Sequence, residues 1–160
     1  MNTRKFCGTI LAIGLTVSIP TLKAQERETL DGVWNVTVTV TNCQTGALIR
    51  TVGSLQTFHP DGTVVETANT TSRGISEGTW HQDGHRTYDA TYLFFRYKPD
   101  GTFASLAKVS DEITLTSEDK FTSAGTVEDF DATGTLISTG CFVHSADRLL
   151  ELEHRGEWRK

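Results

Sequence analysis

The 160-residue sequence has only three cysteines, little positive charge and almost no pattern typical of an α-helix. Its 15 Lys and Arg residues are outnumbered by 20 Asp and Glu residues, which gives a formal net charge of −5 at pH 7. Proteins that bind nucleic acid or anionic membranes present basic patches, so neither partner is expected here. No CxxC pair or His pair flanks a cysteine, and we therefore predict neither a metal site nor a cofactor.

Sequence motifs that would identify a reaction are missing as well. The chain contains no Gly-x-Ser-x-Gly, no His-Glu-x-x-His and no phosphate-binding loop. Because these motifs place a nucleophile, a metal or a phosphate in a defined geometry, their absence leaves no reaction class specified. The protein is therefore more easily interpreted as a binding protein than as an enzyme.

The N-terminus carries the pattern of a secretory signal peptide. A positively charged start precedes an apolar run over residues 6–19, and a short polar stretch follows up to Ala24. The run is shorter than the roughly 20 apolar residues that a membrane span needs. We predict a signal peptide over residues 1–24 and a secreted or periplasmic single domain over residues 25–160, with no membrane span after cleavage. An uncleaved anchor helix is the alternative.

Two cysteines remain once the signal peptide, which contains Cys7, is removed. An even pair in an oxidising compartment indicates a disulfide, so Cys43 and Cys141 are predicted to be bonded. Such a bond would enclose nearly the whole domain. Two buried free thiols are the alternative.

Alternation of apolar and polar residues predicts strands along the remaining chain. In residues 33–42, Trp34 and three valines alternate with Asn and Thr, which places β-branched residues on both faces. The predicted strands are residues 33–42, 48–58, 63–68, 75–81, 86–97, 102–110, 120–130 and 135–143. An extension of the sixth strand through residues 113–116 after a bulge is left open. Only the short tail, residues 146–160, has some helical character.

Three connections share one plan, in which an aromatic residue ends a strand, four residues turn, and Thr opens the next strand. They are residues 59–62, 98–101 and 131–134. Whether they form a true internal repeat or reuse favourable turn chemistry stays open. Successive hairpins make a meander, and meanders of eight strands close into barrels to remove their edges.

The two cysteines favour closure, because Cys43 follows the first strand and Cys141 lies in the eighth. A disulfide needs Cα atoms within about 7 Å, which brings the first and last strands together. The predicted fold is an all-β, antiparallel up-and-down barrel of about eight strands.

The motif Gly32-Val33-Trp34, on the first strand, resembles the opening motif of lipocalins and the wider calycin superfamily. That resemblance implies that Trp34 closes the base of the barrel, with Arg148 as the Arg that packs on it, and that the cavity binds a small apolar ligand. The chain departs from the family pattern, since it has no Thr-Asp-Tyr-like motif and no clear long helix after strand eight. Other small secreted barrels, such as the allene-oxide-cyclase-like type, fit the strand count equally well.

The fifth predicted strand suggests where a ligand would bind. Tyr88, Tyr92, Phe94 and Arg96 share one face of it and, with Trp34, are the candidate ligand-binding residues. Small eight-stranded barrels are either filled by side chains or hold one small ligand. Aromatic lining with one Arg suits a mostly apolar molecule that carries an acidic group. The alternative is that these rings pack the core and the outer wall.

Two other functions are kept as alternatives. The first is a structural or interaction module without a pocket, which would form a homodimer through exposed aromatic residues. The second is a small barrel cyclase or isomerase that uses Glu66, Asp89 or Arg96. Asp89 and Arg96 fall on opposite faces of their strand, so they are not expected to be partners.

The remaining titratable residues are expected to face solvent. Charged residues in strands usually lie on the outer face, and this expectation covers the carboxylates Glu66, Glu77, Asp89, Glu112 and Glu128. Histidines His59, His81 and His85 are expected to be solvated in turns. His144, after the eighth predicted strand, has no evident partner in the sequence.

Overall fold

The computed structural model describes residues 29–149, which form a closed barrel of eight antiparallel strands without a helix. The strands are β1 (Gly32–Thr41), β2 (Leu48–Phe58), β3 (Thr63–Ala68), β4 (Ser76–Gln82), β5 (Thr87–Tyr97), β6 (Phe103–Ser117), β7 (Lys120–Phe130) and β8 (Leu136–Arg148). Each strand pairs with the next along the chain, and β8 pairs with β1. The predicted up-and-down barrel is therefore confirmed. The predicted signal peptide and the end of the predicted tail, residues 150–160, lie outside the described residues.

Alternating burial shows which face of each strand lines the interior. In β5, Tyr88, Ala90, Tyr92 and Phe94 are at most 4% exposed, whereas the residues between them face outward. Arg96, the next residue of the same face, is half-buried. The face assignment predicted for this strand is confirmed.

Nothing among residues 29–149 forms a helix long and apolar enough to cross a membrane.

The three predicted turns share one backbone hydrogen-bond pattern. In each, the amide of the fourth residue donates to the carbonyl of the first, at 2.9–3.0 Å. The fourth residue is Gly62, Gly101 or Gly134, with φ of 84°, 81° and 82° respectively. Glycine is favoured here because a Cβ penalises this left-handed region.

The first and last strands close the barrel as neighbours. Their register runs from Trp34 opposite Arg148 to Thr41 opposite Cys141. Cys43 lies in the turn after β1 and forms a disulfide with Cys141 of β8, with the Cα atoms 5.1 Å apart. The predicted disulfide and the predicted closure are both present in the structure.

β6 and β8 extend well beyond residues 110 and 143, where the sequence places their ends, and the continuation of β6 that the sequence left open is present. Residues Ala146–Arg148, expected to begin a tail of helical character, are strand, because β8 continues to Arg148 and pairs there with β1 and β7. β6 is continuous from Phe103 to Ser117, and no bulge interrupts it near Ser110. Its pairing is irregular near both ends instead, between Phe103 and Ser105 against β5 and between Leu115 and Ser117 against β7. In both places, pairing on two sides sustains a strand that the local pattern does not predict.

Large apolar side chains fill one end of the barrel, called here the closed end. Trp34, Phe58, Phe121 and Leu30 are all at most 1% exposed there. The Trp34 and Phe121 rings meet edge to face, with centroids 4.9 Å apart. The guanidinium carbon of Arg148 lies 4.1 Å from the centroid of the Trp34 ring, as the resemblance to lipocalins implies.

Candidate functional site

A cleft enters the barrel from the opposite end, called here the open end. It contains about 550 Å³ of space when the part open to solvent is counted, but only about 50 Å³ admits the centre of a water molecule. Side chains therefore occupy most of the interior. The apolar part of the lining consists of Val38, Val40, Val52, Phe94, Val109, Val127 and Phe142.

Strand alternation explains why this set of residues meets in one place. Val38 and Val40 continue the inward face that begins with Trp34 and Val36 in β1. Phe94 continues the inward face of β5 in the same way. Every second residue of a strand points to the same side of the sheet, so the strand ends bring these positions together around the cleft.

One buried ion pair crosses the open end. Nη2 of Arg73, in the loop between β3 and β4, donates to Oε2 of Glu66 at 2.5 Å. The Oγ atom of Ser76 also donates to Glu66, at 2.8 Å, and the Glu66 side chain is only 2% exposed. The guanidinium carbon of Arg73 lies 3.5 Å from the centroid of the Phe94 ring. A carboxylate and an aromatic face thus hold this cation inside the barrel.

A second ion pair lies beside the first. Nε of Arg96 donates to Oδ1 of Asp129 at 2.6 Å, and the hydroxyl groups of Ser105 and Ser138 also donate to Asp129. The guanidinium carbon of Arg96 lies 4.9 Å from the centroid of the Phe94 ring. Phe94 is therefore in contact with two cations.

Arg50 is the third cation of the cleft. Its side chain lines the cavity from β2 and is exposed to solvent. Whereas Arg73 and Arg96 each have a carboxylate partner, Arg50 has none within residues 29–149. Its charge is therefore available to a bound anion.

A polar layer lies deeper in the barrel. The hydroxyl oxygen of Tyr92 accepts a hydrogen bond of 3.5 Å from Nε2 of Gln56. Burial raises the pKa of Tyr92 well above its usual value, and the nearby carboxylates of Glu66 and Asp111 raise it further. Tyr92 is therefore a neutral hydroxyl at physiological pH.

Asp111 and His144 form the part of this layer that the sequence did not predict. Oδ2 of Asp111 lies 3.1 Å from Nδ1 of His144, and their side chains are 0% and 2% exposed. His144 also stacks on Phe142, with ring centroids 4.5 Å apart, and lines the cavity. The expectation that His144 has no partner was wrong, because β8 extends past the predicted boundary and turns this residue inward.

Gly125 allows Asp111 and His144 to meet although β7 lies between their strands. Gly125 pairs with Asp111 on one side and with Phe142 on the other. A Cβ atom at this position would come within 2.6 Å of the Phe142 ring and 2.2 Å of the Ser110 carbonyl. The missing side chain leaves the space in which the two residues approach.

The predicted ligand-binding residues divide into two groups. Tyr92, Phe94 and Arg96 line the cavity. Trp34 and Tyr88 are buried at the closed end and do not line the cavity. The structure thus brings three of the five candidates together.

The carboxylates expected on the outer face also divide. Glu77 and Glu112 are exposed and Asp89 and Glu128 are half-buried, and all four point outward. Glu66 instead points inward, so its predicted exposure was wrong.

Outside the barrel, Nε2 of His81 lies 3.6 Å from Oδ2 of Asp89, as an exposed pair. Residues 29–149 contain no cluster of three or more His, Cys, Asp or Glu side chains arranged to hold a metal ion.

The outer wall near the open end carries exposed aromatic residues. Phe95 is 52% exposed and Phe103 is 39% exposed, and their ring centroids are 6.2 Å apart. Leu93, on the same outer face, is also exposed. The alternative of an interaction module depends on residues of this kind.

Comparisons with known proteins give similarity of shape alone. No protein-family model matches the chain, and no curated protein matches it. One similar solved structure is that of EF1p2_mFAP2b bound to DFHBI, which is 17% identical, with 75% of this chain and 94% of that chain covered and a TM-score of 0.48. Another is the S-type phycobiliprotein lyase CPES from Guillardia theta, at 13% identity, 76% and 89% coverage and a TM-score of 0.41.

Proposed function

We propose that this protein is an exported barrel that binds one small, mostly apolar molecule carrying an anionic group. The ligand enters through the open end and contacts the apolar wall around Phe94. Its anionic group lies near Arg50, and Tyr92 and Arg96 complete the contacts. Small-molecule sites are typically concave and apolar, with a few polar groups that fix the orientation of the ligand.

The observation that carries this proposal is the unpaired cation beside an apolar cleft. Arg73 and Arg96 already have carboxylate partners, whereas Arg50 lines the same cavity without one. A ligand with an anionic group would give Arg50 a partner, and its apolar body would cover the valine and Phe94 surfaces. The charge contact and the apolar contact lie side by side in the cleft, so they favour the same orientation of the ligand.

The limited free volume restricts how the ligand is held. Sites for drug-sized ligands usually offer about 300–1,000 Å³. Here only about 50 Å³ admits a water centre, whereas the cleft including its open part holds about 550 Å³. The ligand is therefore compact, or only its tip enters the barrel while its body stays in the open part of the cleft.

Export and kinship with calycins are parts of the same proposal. A disulfide between Cys43 and Cys141 suits an extracellular or periplasmic protein, and the predicted signal peptide agrees with that location. The closed eight-stranded barrel and the packing of Arg148 on Trp34 support a calycin-like assignment.

Binding of anilinonaphthalene sulfonate, an apolar anion that fluoresces in apolar surroundings, tests this function. We expect the Arg50→Gln variant to bind the probe about fivefold more weakly, which corresponds to about 1 kcal/mol for an exposed charge pair. Lys98→Gln is the matched control, since Lys98 is an exposed cation in a turn at the open end that does not line the cavity. Equal loss in both variants, or no loss in Arg50→Gln, would contradict the proposal.

A further inference from the structure

Not every charged side chain inside the barrel has a partner of opposite charge. The charged and titratable groups around the cavity come from seven parts of the chain and are Arg50 (β2), Glu66 (β3), Arg73 (the β3–β4 loop), Tyr92 and Arg96 (β5), Asp111 (β6), Asp129 (β7) and His144 (β8). Glu66 pairs with Arg73, and Asp129 pairs with Arg96. Within residues 29–149, Asp111 has His144 as its basic neighbour and the neutral Tyr92 nearby, and Arg50 has no anionic partner.

The buried pair also lacks hydrogen bonds. Within the part of the chain that the structure describes, neither oxygen of Asp111 nor Nδ1 of His144 has a hydrogen-bond partner in suitable geometry. Leaving buried polar atoms unsatisfied is energetically costly, and more so when a group is charged. Each buried polar group without a partner calls for an explanation, and a catalytic or binding role is one of them. A proton on the imidazole would turn this contact into an ion pair.

His144 is placed to receive that proton from a ligand. Its Nδ1 faces Asp111, the ring is held against Phe142, and the residue lines the cavity. Nε2 is the ring nitrogen left for the cavity side. The Asp111 carboxylate, 3.1 Å from Nδ1, favours a positive charge on the ring, so it would stabilise a proton gained at Nε2.

We infer that the ligand carries an acidic hydroxyl group, of the kind found in phenols and enols, and that its proton passes to Nε2 of His144 on binding. The ligand O–H bond breaks, its electron pair stays on the ligand oxygen, and an N–H bond forms at Nε2. The imidazolium then pairs with Asp111, and the ligand anion enters a cavity that contains the unpaired Arg50. This inference rests on the proposed function and specifies the chemical class of its ligand.

4-Nitrophenol is a suitable probe, because only its ionised form is yellow. We expect the bound probe to ionise about one to two pH units lower than the free probe, as for an acid held near a positive charge. His144→Gln removes the proton acceptor, so it abolishes this shift, and Asp111→Asn reduces it. A bound probe that stays un-ionised, a probe that does not bind, or an unchanged shift in a folded His144→Gln variant overturns the inference.

The exposed His81–Asp89 pair provides the matched control. His81→Gln removes a histidine beside an aspartate from the outer face, where it does not line the cavity. This variant should keep the full shift of the bound probe. Loss of the shift in His81→Gln as well as in His144→Gln would show that the effect is not specific to the buried pair, and would overturn the inference.

If the buried variants do not fold, counting protons with the unaltered protein tests whether His144 takes the proton of the bound probe. Binding enthalpies of 4-nitrophenol are measured below the probe's own pKa, in buffers with different ionisation enthalpies. If His144 keeps the proton, the probe turns yellow and no proton reaches the buffer. Release of about one proton for each bound yellow probe overturns the inference.

The outcomes separate this inference from the proposed function. Sulfonate-probe binding that depends on Arg50, combined with a nitrophenol that remains un-ionised, leaves the binding function standing and removes the role of His144. Loss of Arg50 dependence would instead remove the anion site of the proposed function. The two results come from different probes and different variants.

Discussion

At the scale of single residues, Trp34 organises the closed end. Its indole N–H donates to the Leu30 carbonyl at 2.9 Å, and its ring contacts both Phe121 and the guanidinium of Arg148. Arg148 in turn donates to backbone carbonyls, through Nη2 to Thr29 and through Nε to Glu118. One aromatic side chain thus connects the chain before β1 with the last residue of β8.

Truncation of this residue should be among the most damaging single changes. We expect Trp34→Ala to lower the free energy of unfolding by about 3–5 kcal/mol, because it leaves a cavity and removes the support of Arg148. Urea unfolding followed by circular dichroism measures the effect. Val33→Ala, on the outer face of the same strand, should change the free energy by less than about 0.5 kcal/mol. Similar costs for the two variants would contradict this account.

Single residues also mark the limit of prediction from sequence. Glu66 shares the inward face of β3 with Val64, so alternation alone places it inside, but its charge argued for solvent. Its buried partner, Arg73, lies in the following loop and cannot be inferred from strand periodicity. Asp111 and His144 belong to β6 and β8, and only the register across Gly125 shows that they meet.

At the scale of elements, the three similar turns each hold an aspartate in hydrogen bonds. Threonine hydroxyls donate to Oδ1 of Asp61, Asp100 and Asp131 at 2.6, 2.6 and 2.7 Å. Those bonds lower the pKa of each carboxyl group below 3.8, because they stabilise its charged form. A pKa that is lower in the fold than in the unfolded chain adds stability above about pH 3.8, and this stability is lost as pH falls through the folded value.

Removing one hydroxyl group tests this effect within a single molecule. We expect Thr102→Val to raise the pKa of Asp100 towards 3.8, since the side-chain donor is gone. Carboxyl carbon chemical shifts followed through an acid titration measure all three groups at once. Asp61 and Asp131 are the internal controls and should keep their low pKa values. An Asp100 titration unchanged by the substitution would show that the backbone bonds alone hold the carboxylate.

The elements themselves were largely predictable. β2, β3 and β7 have the bounds that the sequence predicts, because turn and loop residues such as Pro, Gly, Asn or Asp flank each of them. β8 extends five residues beyond its predicted end at residue 143, because its last part is stabilised by pairing with β1 and β7 rather than by β-branched residues. Sequence periodicity thus identifies strands better than it identifies their ends.

At the scale of the whole molecule, the disulfide fixes the open end of the seam between β1 and β8. It joins residues 98 positions apart, so it restricts the unfolded chain strongly. We expect reduction to lower the free energy of unfolding by about 2–4 kcal/mol, with about 4.7 kcal/mol as the limit from loop entropy. Urea midpoints measured with and without reductant give the change.

The double variant Cys43→Ser/Cys141→Ser is the control for this measurement. It should resemble the reduced protein and should not respond to reductant. A midpoint that reductant lowers equally in both proteins would mean that the effect does not come from this bond.

Barrel closure was predictable from two observations. The cysteine positions and the succession of hairpins both place the first strand beside the last. The free volume was not predictable, since it depends on how inward side chains such as Arg73 and Arg96 fold back over Phe94. Sequence reasoning therefore gives the wall of the barrel but not the space that remains inside it.

Because β1 pairs with β8, the described chain begins and ends at the same place in the barrel. The amide of Leu149 donates to the Val33 carbonyl at 2.8 Å, so the two ends of residues 29–149 lie side by side. A circular permutant that starts in the turn at residues 98–101 and links residue 149 to residue 29 would keep every strand pairing. The architecture of the barrel therefore does not depend on which of the eight strands is synthesised first.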